Sequence, residues 1–99
     1  MAIASYRDRG TRDIAAGLNT KIARRTLPVN LHEMARRRLA YLAASQSLDD
    51  LGSRPGLNLH ALKGDRKGQH AIRINEQYRV CFEWISGDAS EVEITDYHD

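Results

Sequence analysis

The stretch AIRINEQYRVCFEW, residues 71–84, carries the clearest strand pattern in the chain. Apolar and polar residues alternate on both sides of a break at residues 75–77, which predicts two half-buried antiparallel strands joined in a hairpin. The apolar positions of this alternation are Ile72, Ile74, Tyr78, Val80 and Phe82. Arg73 and Arg79 take the opposite parity. We therefore expect a sheet with one face in the core and another that carries arginine.

A short apolar stretch and a brief helix begin the chain. Residues 2–6 predict a first strand, which ends in a charged turn. Thr11 is predicted to cap a helix that stops at Gly17 or Asn19. Residues 20–27 are basic and show no clear period, which leaves a mobile linker and a helical extension both open, so we assign them no secondary structure.

The second helix has clearer signals. Asn30 is predicted to cap it, and Val29 and Met34 occupy the positions of a hydrophobic staple. Its apolar stripe extends to about Ser45, and residues 47–52 predict a further helical turn. The residues assigned to the core are Leu31, Leu39, Leu42, Ile72, Ile74, Val80, Phe82 and Ile94.

Length and composition predict one soluble domain that covers residues 1–99. A chain of 99 residues builds one hydrophobic core and is too short for two. Its content is 41% hydrophobic and 28% charged, and no apolar run approaches the roughly 20 residues that span a bilayer. We therefore expect a cytoplasmic protein without membrane association. Cys81 lies within a predicted strand and is interpreted as a small buried residue.

Charge is unevenly distributed along the chain. Residues 1–45 hold nine Lys or Arg and three Asp or Glu, whereas residues 81–99 hold six Asp or Glu and no Lys or Arg. A basic body with an acidic end suggests a surface that meets a polyanion. Since basic helix faces are common, charge alone points only weakly to nucleic acid.

Three stretches of the C-terminal half carry a resemblance to a known family. They are LHALKGDRKG at 59–68, IRINEQYRVCFEW at 72–84 and VEITDYH at 92–98. Together they resemble the HigB toxins, a branch of the RelE/ParE superfamily of bacterial toxin–antitoxin systems. The resemblance covers nearly the whole chain apart from residues 20–30.

The resemblance implies an α+β protein of the RelE-like fold, with two N-terminal helices packed on a small, twisted, mainly antiparallel sheet. It implies an endoribonuclease that needs no cofactor or metal, cleaves mRNA in the ribosomal A site, and so inhibits translation and growth. The implied partners are mRNA on the ribosome and a cognate helix-turn-helix antitoxin. Operator DNA would be contacted only through that antitoxin.

The chemistry that this activity requires can be compared with the residues present. Cleaving RNA without a metal takes a base for the ribose 2′-hydroxyl proton, an acid for the leaving 5′-oxygen, and cations for the phosphorane oxygens. The candidate bases are Asp96, His60 and His98, among which the sequence does not choose. Asp96 and His98 share a strand face, and Tyr97 points to the other. His32 and His70 are interpreted as surface residues.

Cationic and aromatic residues complete the candidate site. Lys63, Arg73 and Arg79 would supply positive charge, with Arg79 the preferred clamp on the scissile phosphate. Tyr97 would stack on a base or orient the phosphate. The RNA-binding residues implied by the resemblance are Arg73, Tyr97, Arg66 and Lys67. Arg73 has a purely structural alternative, an ion pair across the sheet with Glu83 or Glu93.

Two other functions stay open at this point. ParE-like relatives share the fold but poison DNA gyrase as binding proteins, without RNA chemistry. Alternatively, the chain acts chiefly as an antitoxin-binding module that helps its partner hold operator DNA.

Overall fold

The structure, a computed structural model, describes residues 3–97. His98, one of the candidate catalytic residues, lies outside the described residues. The helical elements are α1 Arg9–Ala15, α2 Lys21–Thr26, a 3-10 turn Val29–Leu31, α3 His32–Ala44, α4 Leu48–Gly52 and a 3-10 turn Gly64–Arg66. The strands are β1 His60–Ala61, β2 Gln69–Arg73, β3 Arg79–Ile85 and β4 Asp88–Thr95.

The four strands form one antiparallel sheet in the order β1-β2-β3-β4. In the predicted hairpin, Ile72 lies opposite Val80 and Arg73 lies opposite Arg79. Ile72, Val80 and Phe82 are fully buried in a core shared with α1, α3 and α4. The helices and the antiparallel sheet confirm the predicted α+β class.

The N-terminal segment lies along the outer edge of β4. It forms two isolated parallel bridges, Ile3 with Ala89 and Tyr6 with Val92, in place of the continuous strand that the sequence predicts. Between those bridges, Glu91 has a φ of 51°, and its backbone amide donates to the Ser5 hydroxyl instead of to a backbone carbonyl. This local distortion of β4 divides the edge pairing into two parts.

The first helix begins earlier than predicted. Asp8 is its cap, because the Asp8 carboxylate accepts the Thr11 amide at 2.7 Å. The prediction that Thr11 caps the helix is therefore wrong. Thr11 is fully buried inside the first turn, where its hydroxyl accepts the Ile94 amide of β4 at 2.9 Å. This bond ties α1 to the sheet.

A helix that the sequence did not predict, α2, packs against α1. Thr20 caps it by accepting the Ala23 amide, and the same hydroxyl donates to the Asp13 carboxylate at 2.7 Å. The close approach of the two helices depends on Gly10, since a Cβ there would lie 1.8 Å from the Thr26 hydroxyl. Contact with α1, which no sequence period reveals, holds α2 in place.

The start of α3 also differs from the prediction. The helix begins at His32, and neither Asn30 nor another side chain caps it, because the 3-10 turn before it carries the chain directly into the helix. Val29 and Met34 are 54% and 40% exposed, so they do not form a buried staple. Leu31 is only partly buried against the core, whereas the other seven predicted core residues are buried.

Both histidines interpreted as surface residues are at least half-buried. His32 is 5% exposed, and its Nε2 donates to the Leu27 carbonyl at 2.8 Å, which satisfies a carbonyl just past the end of α2. His70 stacks on the core residue Phe82, with ring centres 6.1 Å apart. The surface interpretation of both residues is therefore wrong.

We expect the Thr11–Ile94 hydrogen bond to be worth a measurable part of the stability. Thr11→Val keeps the shape but leaves the buried Ile94 amide without its acceptor, which should cost about 1–3 kcal/mol. Thr11→Ser keeps the acceptor and loses a methyl group, for about 1 kcal/mol. Urea denaturation should rank wild type above Thr11→Ser and Thr11→Ser above Thr11→Val. A Val variant as stable as the Ser variant would contradict this account.

Candidate active site

The sheet face opposite the helices carries the candidate site, and we call it the open face. The strand register defines it: Ala71 lies opposite Cys81, which in turn lies opposite Glu93, and Arg73 lies opposite Arg79. These residues have the parity opposite to the buried core positions, so their side chains project away from the helices. Register also places His60 of β1 opposite Ala71.

A small apolar cluster forms the base of the open face. Leu62, Ala71 and Cys81 are buried together, and Tyr97 packs against them. Cys81 is 1% exposed, which confirms it as a small buried strand residue. Beside this cluster lies a pocket of about 190 Å³, lined by Ala61, Leu62, Lys63 and Tyr97. One predicted cation and one predicted stacking ring therefore share a pocket.

Arg66 joins Tyr97 to the sheet. Its guanidinium carbon lies 5.5 Å from the centre of the Tyr97 ring. The same guanidinium donates to Glu93 Oε1 at 3.0 Å and to Gln69 Oε1 at 3.1 Å. The two hydrogen bonds hold the Arg66 guanidinium in place, and the cation–π contact in turn positions the Tyr97 ring at the pocket.

The sequence analysis offered Glu93 as one ion-pair partner of Arg73 and missed its contact with Arg66. In the structure the Glu93 carboxylate binds Arg66, and the same Oε1 lies 4.0 Å from Arg7 Nε. The register explains this choice, because Glu93 is opposite Cys81 whereas Arg73 is opposite Arg79. Glu83 pairs with Gln69 and Ser90, so register places neither carboxylate opposite Arg73.

Two arginines stand directly across from each other at the end of the hairpin. Arg79 donates from Nη1 to the carbonyls of Asn75 and Tyr78, which fixes its guanidinium near the β2–β3 turn. The Arg73 backbone carbonyl accepts from Arg38 Nε at 3.1 Å. Like charges opposite each other in a sheet are unfavourable, and an anion between them would offset the repulsion. The arrangement suits a phosphate.

The remaining candidates lie around this centre. Asp96 accepts from the Gln77 side chain at 3.0 Å, beside the β2–β3 turn and away from the pocket that Tyr97 enters. His60 Nδ1 bonds to the Asn58 carbonyl at 2.9 Å. Lys67 is exposed just after the 3-10 turn. The structure thus brings Lys63, Arg66 and Tyr97 together and pairs Arg73 with Arg79, while His60, Lys67 and Asp96 do not line the pocket.

No group of three or more His, Cys, Asp or Glu within residues 3–97 is placed to hold a metal ion. Within the same range, no helix is long and apolar enough to cross a bilayer.

We expect the Arg66–Glu93 pair to be coupled more strongly than an ordinary surface pair. Its side chains are only 24% and 21% exposed, whereas those of Arg37 and Glu33 on α3 are 68% and 74% exposed. Double-mutant cycles by denaturation should give about 1 kcal/mol for the first pair and about 0.3–0.5 kcal/mol for the second. Equal coupling energies in the two cycles would show that Glu93 does not hold Arg66 in solution.

Comparison with known proteins identifies the family. The model of the HigB-like toxins, described as RelE-like toxins of the type II toxin–antitoxin system HigB, matches residues 15–98. Toxin HigB-1 of Vibrio cholerae is 38% identical over 65 residues, which cover 66% of this chain and 68% of that protein. Endoribonuclease HigB of Proteus vulgaris is 45% identical over 40 residues, 40% of this chain and 44% of that protein. This chain belongs to the HigB-like family of type II toxins.

Proposed function

We propose that this toxin is an endoribonuclease that cleaves mRNA, and that the open face holds the scissile phosphate. The observation that carries the proposal is the pocket lined by Lys63 and Tyr97, with Arg66 over the Tyr97 ring and the Arg73–Arg79 pair on the same face of the sheet. A similar protein, from Proteus vulgaris, is named an endoribonuclease.

The reaction is a transesterification through the ribose 2′-hydroxyl. The 2′-oxygen gives up its proton to a base and bonds to phosphorus, and the bond from phosphorus to the 5′-oxygen breaks as that oxygen takes a proton. The products are a 2′,3′-cyclic phosphate and a 5′-hydroxyl. Because DNA lacks the 2′-hydroxyl, this chemistry is confined to RNA.

The cations have the role of stabilising the charge that develops on the phosphorane. Arg79 is the proposed clamp, since its bonds to the turn carbonyls fix the guanidinium before substrate arrives. Arg73, directly opposite Arg79, supplies a second guanidinium group, and Lys63 supplies an ammonium group at the pocket. Removing one such group from a preorganised site typically costs about 10²–10³ in rate.

Three groups are proposed for proton transfer: Asp96, His60 and His98. In a neutral His60 ring, Nδ1 would donate to the Asn58 carbonyl, which can only accept, and Nε2 would hold the lone pair. Nε2 is buried, so it must be uncovered before it can take a proton from RNA. Asp96 has its Oδ2 engaged by Gln77, which orients the carboxylate beside the turn that holds Arg79.

The pocket between Lys63 and Tyr97 is proposed to hold a nucleotide next to the scissile bond. An ammonium group suits its phosphate and an aromatic ring suits its base, the usual pairing in single-strand recognition. Arg66 is then a positioning residue that holds the Tyr97 ring, in addition to its proposed contact with RNA, and Lys67 extends the basic loop outward.

The partners proposed here follow from the family. A type II toxin is neutralised by an antitoxin protein, which we propose to be a helix-turn-helix repressor that alone contacts operator DNA. We propose that cleavage takes place in the cytoplasm on mRNA in the ribosomal A site.

We expect Arg79→Ala, Lys63→Ala and His98→Ala each to abolish growth arrest when the toxin is expressed without antitoxin. The reason is the loss of about 10²–10³ in cleavage rate at each site. Arg25→Ala, on the exposed side of α2, is the matched control and should remain toxic.

Antitoxin binding by each purified variant should match wild type, which shows that the chain still folds. Undiminished growth arrest in both the Arg79 and Lys63 variants would contradict RNA cleavage at this site and would favour gyrase poisoning.

A further inference from the structure

A second and larger cavity lies at the N-terminal edge of the sheet. It has a volume of about 380 Å³ and is lined by residues 4–9 and by Arg12. Three of its lining residues are the exposed arginines Arg7, Arg9 and Arg12. Asp8 is the acid among them, and its Oδ1 is already bonded to the Thr11 amide at 2.7 Å. The cavity is therefore cationic on balance.

One carboxylate oxygen, Glu93 Oε1, contacts both an arginine of this cavity and an arginine of the candidate active site. Glu93 Oε1 accepts from Arg66 at 3.0 Å and lies 4.0 Å from Arg7 Nε, and Arg66 in turn holds the Tyr97 ring. The N-terminal segment lies next to β4, two strand spacings from β3, which is about 10 Å. A short piece of single-stranded RNA can span that distance.

We propose that Arg7, Arg9 and Arg12 form a second phosphate-binding site for the same RNA strand that the open face cleaves. The inference rests on the proposed function and adds the path of the substrate to it. The paired N–H groups of a guanidinium match two oxygens of a phosphate. Such contacts to the phosphate backbone of RNA hold the strand in register without reading its sequence.

The other groups in the cavity are compatible with an anion. Burial raises the pKa of the Tyr6 hydroxyl above its ordinary value, so that group stays neutral beside a phosphate. Arg7 is 55% exposed, and its contact with Glu93 is at the outer limit of an ion pair, which leaves its guanidinium able to turn toward a ligand.

An acidic segment of the antitoxin would also fit three arginines. RNA is favoured because Arg7 of the cavity lies 4.0 Å from Glu93, and the same Glu93 oxygen accepts from Arg66 of the open face, so one strand that passes the edge of β4 can reach both sets of cations. The test separates these two ligands.

The experiment compares two double variants of the full chain with the same loss of charge. Arg9→Gln with Arg12→Gln alters the cavity, and Lys21→Gln with Arg25→Gln alters exposed positions of α2. Affinity for a single-stranded RNA oligonucleotide is measured across a salt series. Each lost phosphate contact lowers the slope of log K against log salt by about 0.7, so the cavity variant should lose about 1.4 and the control none.

At physiological salt, we expect the cavity variant to bind RNA about tenfold more weakly than wild type, with antitoxin affinity unchanged. Equal slopes in the two double variants would overturn the second site and leave the proposed function standing. A cavity variant that keeps the wild-type RNA slope but loses antitoxin affinity would assign the cavity to the antitoxin and overturn the inference. Wild-type protein that neither binds nor cleaves RNA would overturn the proposed function itself.

Discussion

The register of the β2–β3 hairpin determines which residues of this toxin enter the core and which remain available for chemistry. With Ile72 opposite Val80, the side chains of Ile72, Val80 and Phe82 enter the core shared with the helices, whereas Ala71 and Cys81 form the apolar cluster of the open face. The same register aligns Arg73 with Arg79 on the open face. A slip by one residue would place arginine in the core and isoleucine in water, so the hydrophobic core enforces the geometry of the cationic face.

A face built from facing cations is unfavourable by itself, and the structure offsets that cost locally. Glu93 accepts from Arg66 and lies within ion-pair range of Arg7, while backbone carbonyls of the β2–β3 turn accept from Arg79. These contacts hold the guanidinium groups in place without neutralising all of their charge. The result is a preorganised cationic surface, which is the condition for electrostatic stabilisation of a phosphorane.

Sequence patterns predicted the parts that depend on local alternation and missed those that depend on contacts between distant segments. The hairpin, α3 and the buried Cys81 follow from periodicity and are present in the structure. Helix α2 was not predicted because the approach of Gly10 to Thr26 stabilises it, and no periodic signal encodes that approach. Thr11 was predicted as the cap of α1, but Asp8 caps it, because the Thr11 hydroxyl is instead bonded to the Ile94 amide of β4.

The candidate site shows the same division between local and distant information. The parity of Arg73 and Arg79 could be read from the sequence, whereas the partner of Glu93 could not, because Arg66 lies 27 residues away on a turn. His32 was misassigned because its buried position depends on the Leu27 carbonyl at the end of the unpredicted helix α2.

The chemistry of the product ends reports directly on whether this toxin cleaves RNA through the 2′-hydroxyl. RNA 5′ ends are mapped in translating extracts with and without the protein, and the end groups at each new cut are identified. We expect new 5′-hydroxyl ends, each matched to an upstream fragment that carries a 2′,3′-cyclic phosphate. An absence of new ends, or new ends that carry a 5′-phosphate, would rule out cleavage through the 2′-hydroxyl.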